Sequence, residues 1–500
     1  MESQLIVSNI LPAAFLLPIL AAIVVVPMTR LSEHARAIGL TVMCLGTVVV
    51  AASFIPGILD GRIYEIYLLR LTPQIWIHMR VDPMGALFGI TASVLWLLAL
   101  VYSFGYMADE HHKSRYYAFF MLSLAWTMGV AYSGNLLTFL VFYELFSILT
   151  YPLVTHEETP EAMAAGTKYI IYILIGSSFV LLAIVFTYFL AGDQTLATQG
   201  LLSMDMGKAN LIVIFVCFLI GFGVKAAIFP LHGWVPDAHP AAPAPFSTVL
   251  SGIMVAIGTF GIMRVAFNVF GLELLGQLDV MCYVQYLAAF TIIFAAILAV
   301  NQDNLKRRLA YSTISQMGYV MLGIALLGQE AFVGALVHVT NHAFMKGTLF
   351  LCVGLLIKQA GVHNVSELRG IAKKMPITMA AFSVAALSMI GTPPLSGFVS
   401  KWYLGLGILE VEQPLYLAVL LGGALLAAIY LLPIVYAAYF QEPEPAAGDD
   451  SVSATTREAP LSMLVPVVAA AALTVILGLF ASTPGLPLSL ARLAAKIAFH

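Results

Sequence analysis

Apolar stretches of about 20 residues recur along almost the whole chain, separated by short polar connections. A helix needs about this length to cross the hydrocarbon core of a bilayer, whereas a barrel strand needs only about 10 residues with alternating pattern. Hydrophobic residues make up 61% of the 500 positions and charged residues 10%, against about 25% in soluble proteins. The sequence therefore predicts an all-α polytopic membrane protein and excludes a water-soluble fold.

We predict 14 membrane-spanning helices, with boundaries that are approximate by a few residues. The first stretch, Leu5 to Met28, is too long for the apolar region of a signal peptide and has no basic segment before it, so we interpret it as a retained helix. The predicted spans are residues 5–28, 37–59, 81–106, 116–133, 135–155, 169–191, 210–230, 245–268, 281–300, 309–328, 331–357, 376–409, 415–440 and 462–483.

Two segments interrupt this pattern. Tyr64 to Arg80 alternates as a small hairpin or interfacial segment does, and Gln441 to Glu458 has the Pro, Glu and Asp content of a flexible surface loop. No boundary separates a soluble domain, so residues 1–500 are predicted to form one membrane domain. Its parts are the N-terminal helices (1–115), a first repeat (116–268), a second repeat (281–440), and a loop, last helix and tail (441–500).

Lysine and arginine in the connections predict the orientation, because cytoplasmic loops carry the excess. One side of the predicted topology has thirteen of the 23 basic residues and the other side has seven. The remaining three, Lys225, Lys346 and Lys401, lie inside predicted helices. Both termini are therefore predicted to face away from the cytoplasm.

The four cysteines stand singly in apolar runs, without the paired spacing of a zinc or iron–sulfur site. No basic tract or phosphate-binding Gly-rich loop occurs either. No cofactor, metal or nucleic-acid partner is predicted.

Charges at membrane depth are costly, at least about 2.5 to 3.5 kcal/mol each on insertion scales, so each one is a candidate functional residue. Glu144 lies near the middle of the fifth predicted span, and structural pairing with a lysine on another helix is its alternative role. Lys225 precedes a Pro-rich segment that must break its helix. A buried lysine suits proton transfer. The alternative is that the side chain of Lys225 snorkels to the membrane interface and has no transport role.

Lys401 follows a second break, at Gly391, Pro393, Pro394 and Gly397. In the first half of the chain the lysine precedes the break and in the second half it follows, as expected of two repeats inserted with opposite topology. No letter-by-letter repeat accompanies this relation.

His338, His342 and Lys346 are spaced by four residues, so they share one helix face and could form a proton relay. The alternatives are zinc binding by the histidine pair, for which the sequence supplies no third ligand, and a helix packed through satisfied polar residues. Within the break after Lys225, a set of polar residues could admit water to a buried proton site or simply cap the broken helix. These are His232, Asp237 and His239.

Two charged groups in connections are expected at the cytoplasmic surface, where they would anchor the protein. They comprise Asp303, Lys306, Arg307 and Arg308 in one connection and Glu157 and Glu158 in another.

Four motifs together resemble the antiporter-like membrane subunits shared by respiratory complex I, Mrp-type cation/proton antiporters and membrane-bound hydrogenases. They are Phe142-Tyr-Glu-Leu-Phe, Val224-Lys-Ala-Ala-Ile-Phe-Pro-Leu-His-Gly-Trp-Val-Pro-Asp-Ala-His-Pro, Leu309-Ala-Tyr-Ser-Thr-Ile-Ser-Gln-Met-Gly-Tyr and Gly391-Thr-Pro-Pro-Leu-Ser-Gly-Phe.

The resemblance implies fourteen helices, two inverted five-helix repeats, discontinuous seventh and twelfth helices, and a row of ionisable residues at mid-membrane. It implies that Glu144 corresponds to the family's glutamate on the fifth helix and that Lys225 and Lys401 occupy the charged positions on the seventh and twelfth helices. It also implies a relay on the eleventh helix, formed by His338, His342 and Lys346. It also implies a prokaryotic inner-membrane location, partner subunits, and transport of protons, with Na⁺ as the candidate second ion.

One position departs from the family pattern. Family members often have Lys or His in the eighth helix, where this chain has Ala256, so water or His239 would have to connect the two halves. The segment His156-Glu-Glu-Thr-Pro-Glu-Ala favours the D-type Mrp subunits and their hydrogenase-associated relatives. The alternative is the ion-pumping subunit of a redox-driven complex; since the chain offers no cofactor ligands, electron transfer would then belong to partner subunits.

Overall fold

The computed structural model describes residues 4–71, 75–196, 200–442 and 457–499, and it is built almost entirely of helices. The helices are α1 (Ala13–Leu31), α2 (Glu33–Leu59), α3 (Pro83–Tyr106), α4 (Lys113–Ala131), α5 (Leu136–Val154), α6 (Pro160–Ala191), α7 (Lys208–Ala226), α8 (Val235–Ala241), α9 (Ala244–Phe270), α10 (Leu272–Leu278), α11 (Met281–Val300), α12 (Leu305–Ala325), α13 (Gln329–Ala360), α14 (Pro376–Ile390), α15 (Ser396–Glu410), α16 (Leu415–Phe440), α17 (Leu461–Leu479) and α18 (Pro487–Phe499).

Within these described residues, ten helices are long and apolar enough to cross a membrane. Two shorter apolar helices cover Ala13–Met28 and Pro376–Ile390. The predicted class of a helical membrane protein is confirmed. Most of the predicted loop from Gln441 to Glu458 lies outside the described residues.

A three-stranded sheet lies at one end of the helices, which we call the sheet end. Its strands are β1 (Gln4–Val7), β2 (Arg62–Arg70) and β3 (Trp76–Val81), in that order. The antiparallel pairing of β2 and β3 confirms the hairpin alternative for Tyr64 to Arg80. The predicted helix start at Leu5 is wrong: Leu5 pairs with Ile63 in the sheet, which satisfies its backbone, and α1 begins only at Ala13.

Ion pairs hold the connections at the opposite end together, and we call it the basic end after Lys113, Arg115, Lys168, Arg307 and Lys358. Lys358 Nζ lies 3.0 Å from Glu110 Oε1, for example, which joins α13 to the connection before α4. Surface ion pairs of this kind contribute little stability individually. Their role in the fold is to fix how the connections sit over the helix ends.

Both predicted helix breaks are present. After α7, Ala227 adopts the left-handed conformation with φ of 55°, and α8 begins only at Val235. The indole of Trp234 donates a hydrogen bond to the Val224 carbonyl at 2.8 Å, which satisfies one acceptor that the break exposes. After α14, Gly391 has φ of 101°, a conformation that glycine adopts at little cost, and α15 begins at Ser396.

Candidate functional site

Lys225 lies in the last turn of α7, and its side chain is fully buried. The ammonium group donates hydrogen bonds to the Tyr169 hydroxyl at 3.3 Å and to Ser147 Oγ at 3.5 Å. It also lies 4.5 Å from the centre of the Phe146 ring, a cation–π distance. The Tyr169 hydroxyl is hydrogen-bonded in turn to Thr150 at 2.6 Å. Hydroxyls and aromatic rings, rather than a carboxylate, therefore contact this lysine.

Glu144 lies on α5, three residues before Ser147, so the two side chains share a helix face. Its side chain is only partly buried. Glu144 interacts electrostatically with Lys225, but none of the ion pairs within 4.0 Å in the described part of the chain joins them. The predicted pair is therefore separated in this structure, and Ser147 and Tyr169 contact the lysine instead.

The polar residues of the first break lie in different surroundings. Asp237 is paired with Lys168 at 2.7 Å and with Arg307 at 3.1 Å, so it ties α8 to α6 and α12 at the basic end. His232 is partly buried. His239 is fully buried, and neither of its ring nitrogens has a hydrogen-bond partner among the described residues. Of the three, only His239 is fully buried with both ring nitrogens free of hydrogen bonds among the described residues.

The predicted row on α13 is buried along its whole length. The rings of His338 and His342 are 6.1 Å apart, so they lie on one face as predicted. His338 Nδ1 is hydrogen-bonded to Ser400 Oγ at 2.9 Å, and Lys346 donates to Ser312 Oγ at 2.6 Å. Neither ring nitrogen of His342 has a partner in the part of the chain that the structure describes, and that part contains no group of three potential metal ligands.

Lys401 lies in the second turn of α15 and is 7% exposed. Its ammonium donates to the carbonyl oxygens of Met389 at 2.7 Å and Ile390 at 3.0 Å. These residues end α14, and the last carbonyls of a helix lack helical partners and carry partial negative charge. The second break thus provides the acceptors that hold this lysine.

Hydroxyl groups connect the two halves of the chain, a feature that sequence reasoning missed. Ser251 of α9 is hydrogen-bonded to Thr313 of α12 at 2.5 Å, and the neighbouring Ser312 is hydrogen-bonded to the Tyr430 hydroxyl at 2.8 Å. A hydroxyl can both donate and accept, so such contacts can pass a proton. The run from Leu309 to Tyr319 contains two of these groups, Ser312 and Thr313, but nothing in the sequence identifies Tyr430 as the partner of Ser312.

The expectation that Lys306 and Arg308 lie at the surface is wrong. Both begin α12, and they are only 8% and 7% exposed. Arg308 donates to the Gln302 carbonyl at 2.6 Å and to the Tyr430 carbonyl at 3.0 Å. Lys306 donates to the Ala242 carbonyl at 2.7 Å. The chain therefore has a fourth buried lysine, close to the basic end.

Comparison with known proteins identifies the family. Residues 133–427 match the model described as NADH:quinone oxidoreductase/Mrp antiporter, TM, and residues 72–117 match the model described as NADH-ubiquinone oxidoreductase (complex I), chain 5 N-terminus. NADH-quinone oxidoreductase subunit N of Desulforudis audaxviator is 35% identical over 465 residues, which is 91% of each chain. The D-type subunit of the Na(+)/H(+) antiporter of Bacillus subtilis is 28% identical over 444 residues, covering 87% of this chain and 88% of the relative.

Among solved structures, a chain of the archaeal membrane-bound sulfane sulfur reductase has the same fold. The TM-score is 0.88 at 24% identity, and the match covers 98% of both chains. The matched family region contains every buried lysine and histidine of the site. The chain is a member of the family of membrane subunits shared by NADH:quinone oxidoreductases and Mrp antiporters.

Proposed function

We propose that the chain translocates protons through the membrane as an antiporter-like subunit of a multi-subunit complex. The main support is that Lys225, Lys346 and Lys401 are buried and hydrogen-bonded to hydroxyls or carbonyls. None of them has an ion pair within 4.0 Å among the described residues. Burial of an ammonium without a counter-ion disfavours its charged form. Each of these lysines can therefore exchange between a protonated and a neutral form, as a proton carrier must.

In the proposed sequence, protons pass between Lys225, the row of His338, His342 and Lys346, and Lys401. Glu144 stabilises the protonated form of Lys225 when the two approach, and their separation promotes release of the proton. Glu144 and Lys225 are separated in the structure, and the lysine is hydrogen-bonded to Tyr169 and Ser147. The link between the halves, where Ala256 offers no titratable group, runs through hydroxyls, water or His239.

We further propose 14 membrane crossings. The ten long apolar helices would be joined by α1, α4, α12 and the broken pair α14–α15, and the broken helices would occupy corresponding positions in two inverted repeats. The excess of lysine and arginine predicts that the basic end faces the cytoplasm of a prokaryotic cell.

Two kinds of complex fit this role. A D-type subunit of an Mrp antiporter is supported by the segment from His156 to Ala162 and by the similarity to the antiporter relative in Bacillus subtilis. The ion-pumping arm of a redox-driven complex is supported by 35% identity to an NADH-quinone oxidoreductase subunit over 91% of both chains. In either complex the chain would work among other membrane subunits, with Na⁺ as a second ion only in the first.

The test is proton transport by the complete complex, purified from its native membrane in mild detergent and reconstituted in vesicles with a pH-sensitive dye. We expect Lys346→Met to abolish transport while the complex assembles, because it removes a buried carrier, and Lys373→Met, at an exposed site near the basic end, to have no effect. Equal rates in the two variants would refute the proposal.

Mass spectrometry of the same preparation separates the two kinds of complex. Small hydrophobic subunits alone, with transport driven by a sodium gradient, would support the antiporter. Co-purified iron–sulfur, nickel or flavin subunits would support the redox-driven complex.

A further inference from the structure

A charged cavity of about 570 Å³ opens at the basic end between α6, α8 and α12. Its lining includes two basic and three acidic side chains. Both basic groups, Lys168 and Arg307, are ion-paired with Asp237. The carboxylates of the other two acids, Glu157 and Glu161, form no ion pair and no hydrogen bond with the described residues. Glu161 is exposed to solvent, whereas Glu157, in the connection between α5 and α6, is partly buried.

Lys306 is more deeply buried than Glu157. It is 8% exposed, and its ammonium has one hydrogen-bond partner in the described part of the chain, the carbonyl of Ala242 at 2.7 Å. Glu157 and Lys306 interact electrostatically without an ion pair within 4.0 Å. Polar groups that are more than about 3.5 Å apart can interact through bridging water molecules.

His239 is linked to Lys306 and to the proposed transport row by local contacts. It precedes Ala242, whose carbonyl accepts from Lys306, by three residues, and its ring packs on Phe350, four residues after Lys346 on α13. Its charge interactions are with Lys306 and Lys346, so both lysines lie near it. The ring is stacked on Phe350 with 4.8 Å between centroids, which fixes its plane, and both ring nitrogens are unpartnered among the described residues. Buried polar atoms are almost always hydrogen-bonded in native proteins. The two ring nitrogens of His239, unpartnered among the described residues and electrostatically coupled to two buried lysines, could therefore bind water or carry a proton.

We propose that Glu157 is the carboxyl group that takes up protons from the cavity and that Lys306 and His239 pass them to Lys346. This inference rests on the proposed proton transport and extends it with an uptake route from the basic end. Each step transfers one proton between an oxygen or nitrogen donor and acceptor, through water where the gap requires it, and no other bond changes.

The surroundings of Glu157 suit proton uptake near neutral pH. Burial and the nearby carboxylate of Glu110 raise the pKa of Glu157 above its usual range, against the opposing charges of Lys306, His111 and Lys358. These groups come from the connection before α4, from α12 and from the end of α13. A carboxyl group with a raised pKa is protonated more often at physiological pH than an exposed glutamate.

The test compares Glu157→Gln with Glu161→Gln, which removes the same charge from an exposed position in the same cavity. Both are measured in the complete reconstituted complex as the initial rate of proton transport from the basic-end side, at pH 6 and pH 8. We expect Glu157→Gln to lower the rate at least about tenfold at pH 8 and less at pH 6, and Glu161→Gln to change it less than twofold. Sodium acetate at millimolar concentration, a small acid that fits the cavity, should restore part of the rate in Glu157→Gln.

Two further variants separate the possible outcomes. Glu157→Asp should retain part of the rate, and Lys306→Met should lower it without rescue by acetate. A normal rate in Glu157→Gln, beside an inactive Lys346→Met, would overturn the uptake route and leave the proposed transport intact. A loss in Glu157→Gln that neither acetate nor the aspartate variant relieves would also overturn it, since the residue would then be structural. Normal rates in both Glu157→Gln and Lys346→Met would refute proton transport itself.

Discussion

Glu144→Gln tests whether the carboxylate of Glu144 controls Lys225. The glutamine keeps the shape of the side chain and removes its charge. Two unit charges 4 Å apart interact by about 4 kcal/mol at an effective dielectric constant of about 20 and by about 1 kcal/mol in water. Because the two side chains are more than 4.0 Å apart, the coupling is at most about 4 kcal/mol. With about 1.4 kcal/mol for each factor of ten, transport should slow several-fold and by no more than about 1,000-fold.

The assay is the initial rate of proton transport in vesicles that contain the complete complex, with assembly checked by size-exclusion chromatography. A double-mutant cycle with Lys225→Ala isolates the interaction from other effects of either change. If Glu144 acts through Lys225, then the double variant should be no slower than Lys225→Ala alone. The reasoning is refuted if Glu144→Gln transports at the normal rate, or if the two losses simply multiply.

Three other predictions concern the fold around the site. Asp82→Asn leaves the guanidinium of Arg264, which is 4% exposed, without its carboxylate partner at the sheet end. The free energy of unfolding should therefore fall by about 3–5 kcal/mol, which would lower the melting temperature. An unchanged melting temperature would contradict a buried ion pair. Burial and the charge of Arg115 lower the pKa of His156 to about 4. The imidazole in the unfolded chain binds a proton below about pH 6.5, so the contribution of His156 to the free energy of unfolding should be complete above pH 6.5 and decrease as the pH falls towards 4. Thermal melts of His156→Phe should lose that part of the decrease. Gly391→Ala adds a Cβ to a residue with φ of 101°, 3.0 Å from the Lys401 side chain. The free energy of unfolding should fall by about 1–3 kcal/mol in thermal melts, and transport should slow. Unchanged stability and transport would show that the break tolerates a side chain.

The sequence predicted features that follow from local chemistry. Twenty-residue apolar runs specify helices, and prolines after Lys225 and before Lys401 remove backbone donors, so both helix breaks could be located from the residues alone. The four-residue spacing of His338 and His342 was enough to place their rings on one face.

Features that depend on distant partners could not be predicted. The first helix begins eight residues later than expected because Gln4–Val7 pairs with β2, a contact between segments about 58 positions apart. The partners of the lysines are hydroxyls such as Ser147 and Ser312, and such residues are common in membrane helices without any functional role. Lys306 follows a polar connection, which predicts a surface position. In the structure α8 packs against α12, and the lysine donates to the Ala242 carbonyl just after α8.

The most direct test of the central claim is proton transport by the complex that carries Lys225→Ala, measured beside the wild type and Lys208→Ala, at the exposed start of the same helix. We expect Lys225→Ala to assemble normally and to transport protons only at a small residual rate, while Lys208→Ala keeps the normal rate. Normal proton-coupled transport by a correctly assembled Lys225→Ala complex would contradict the account.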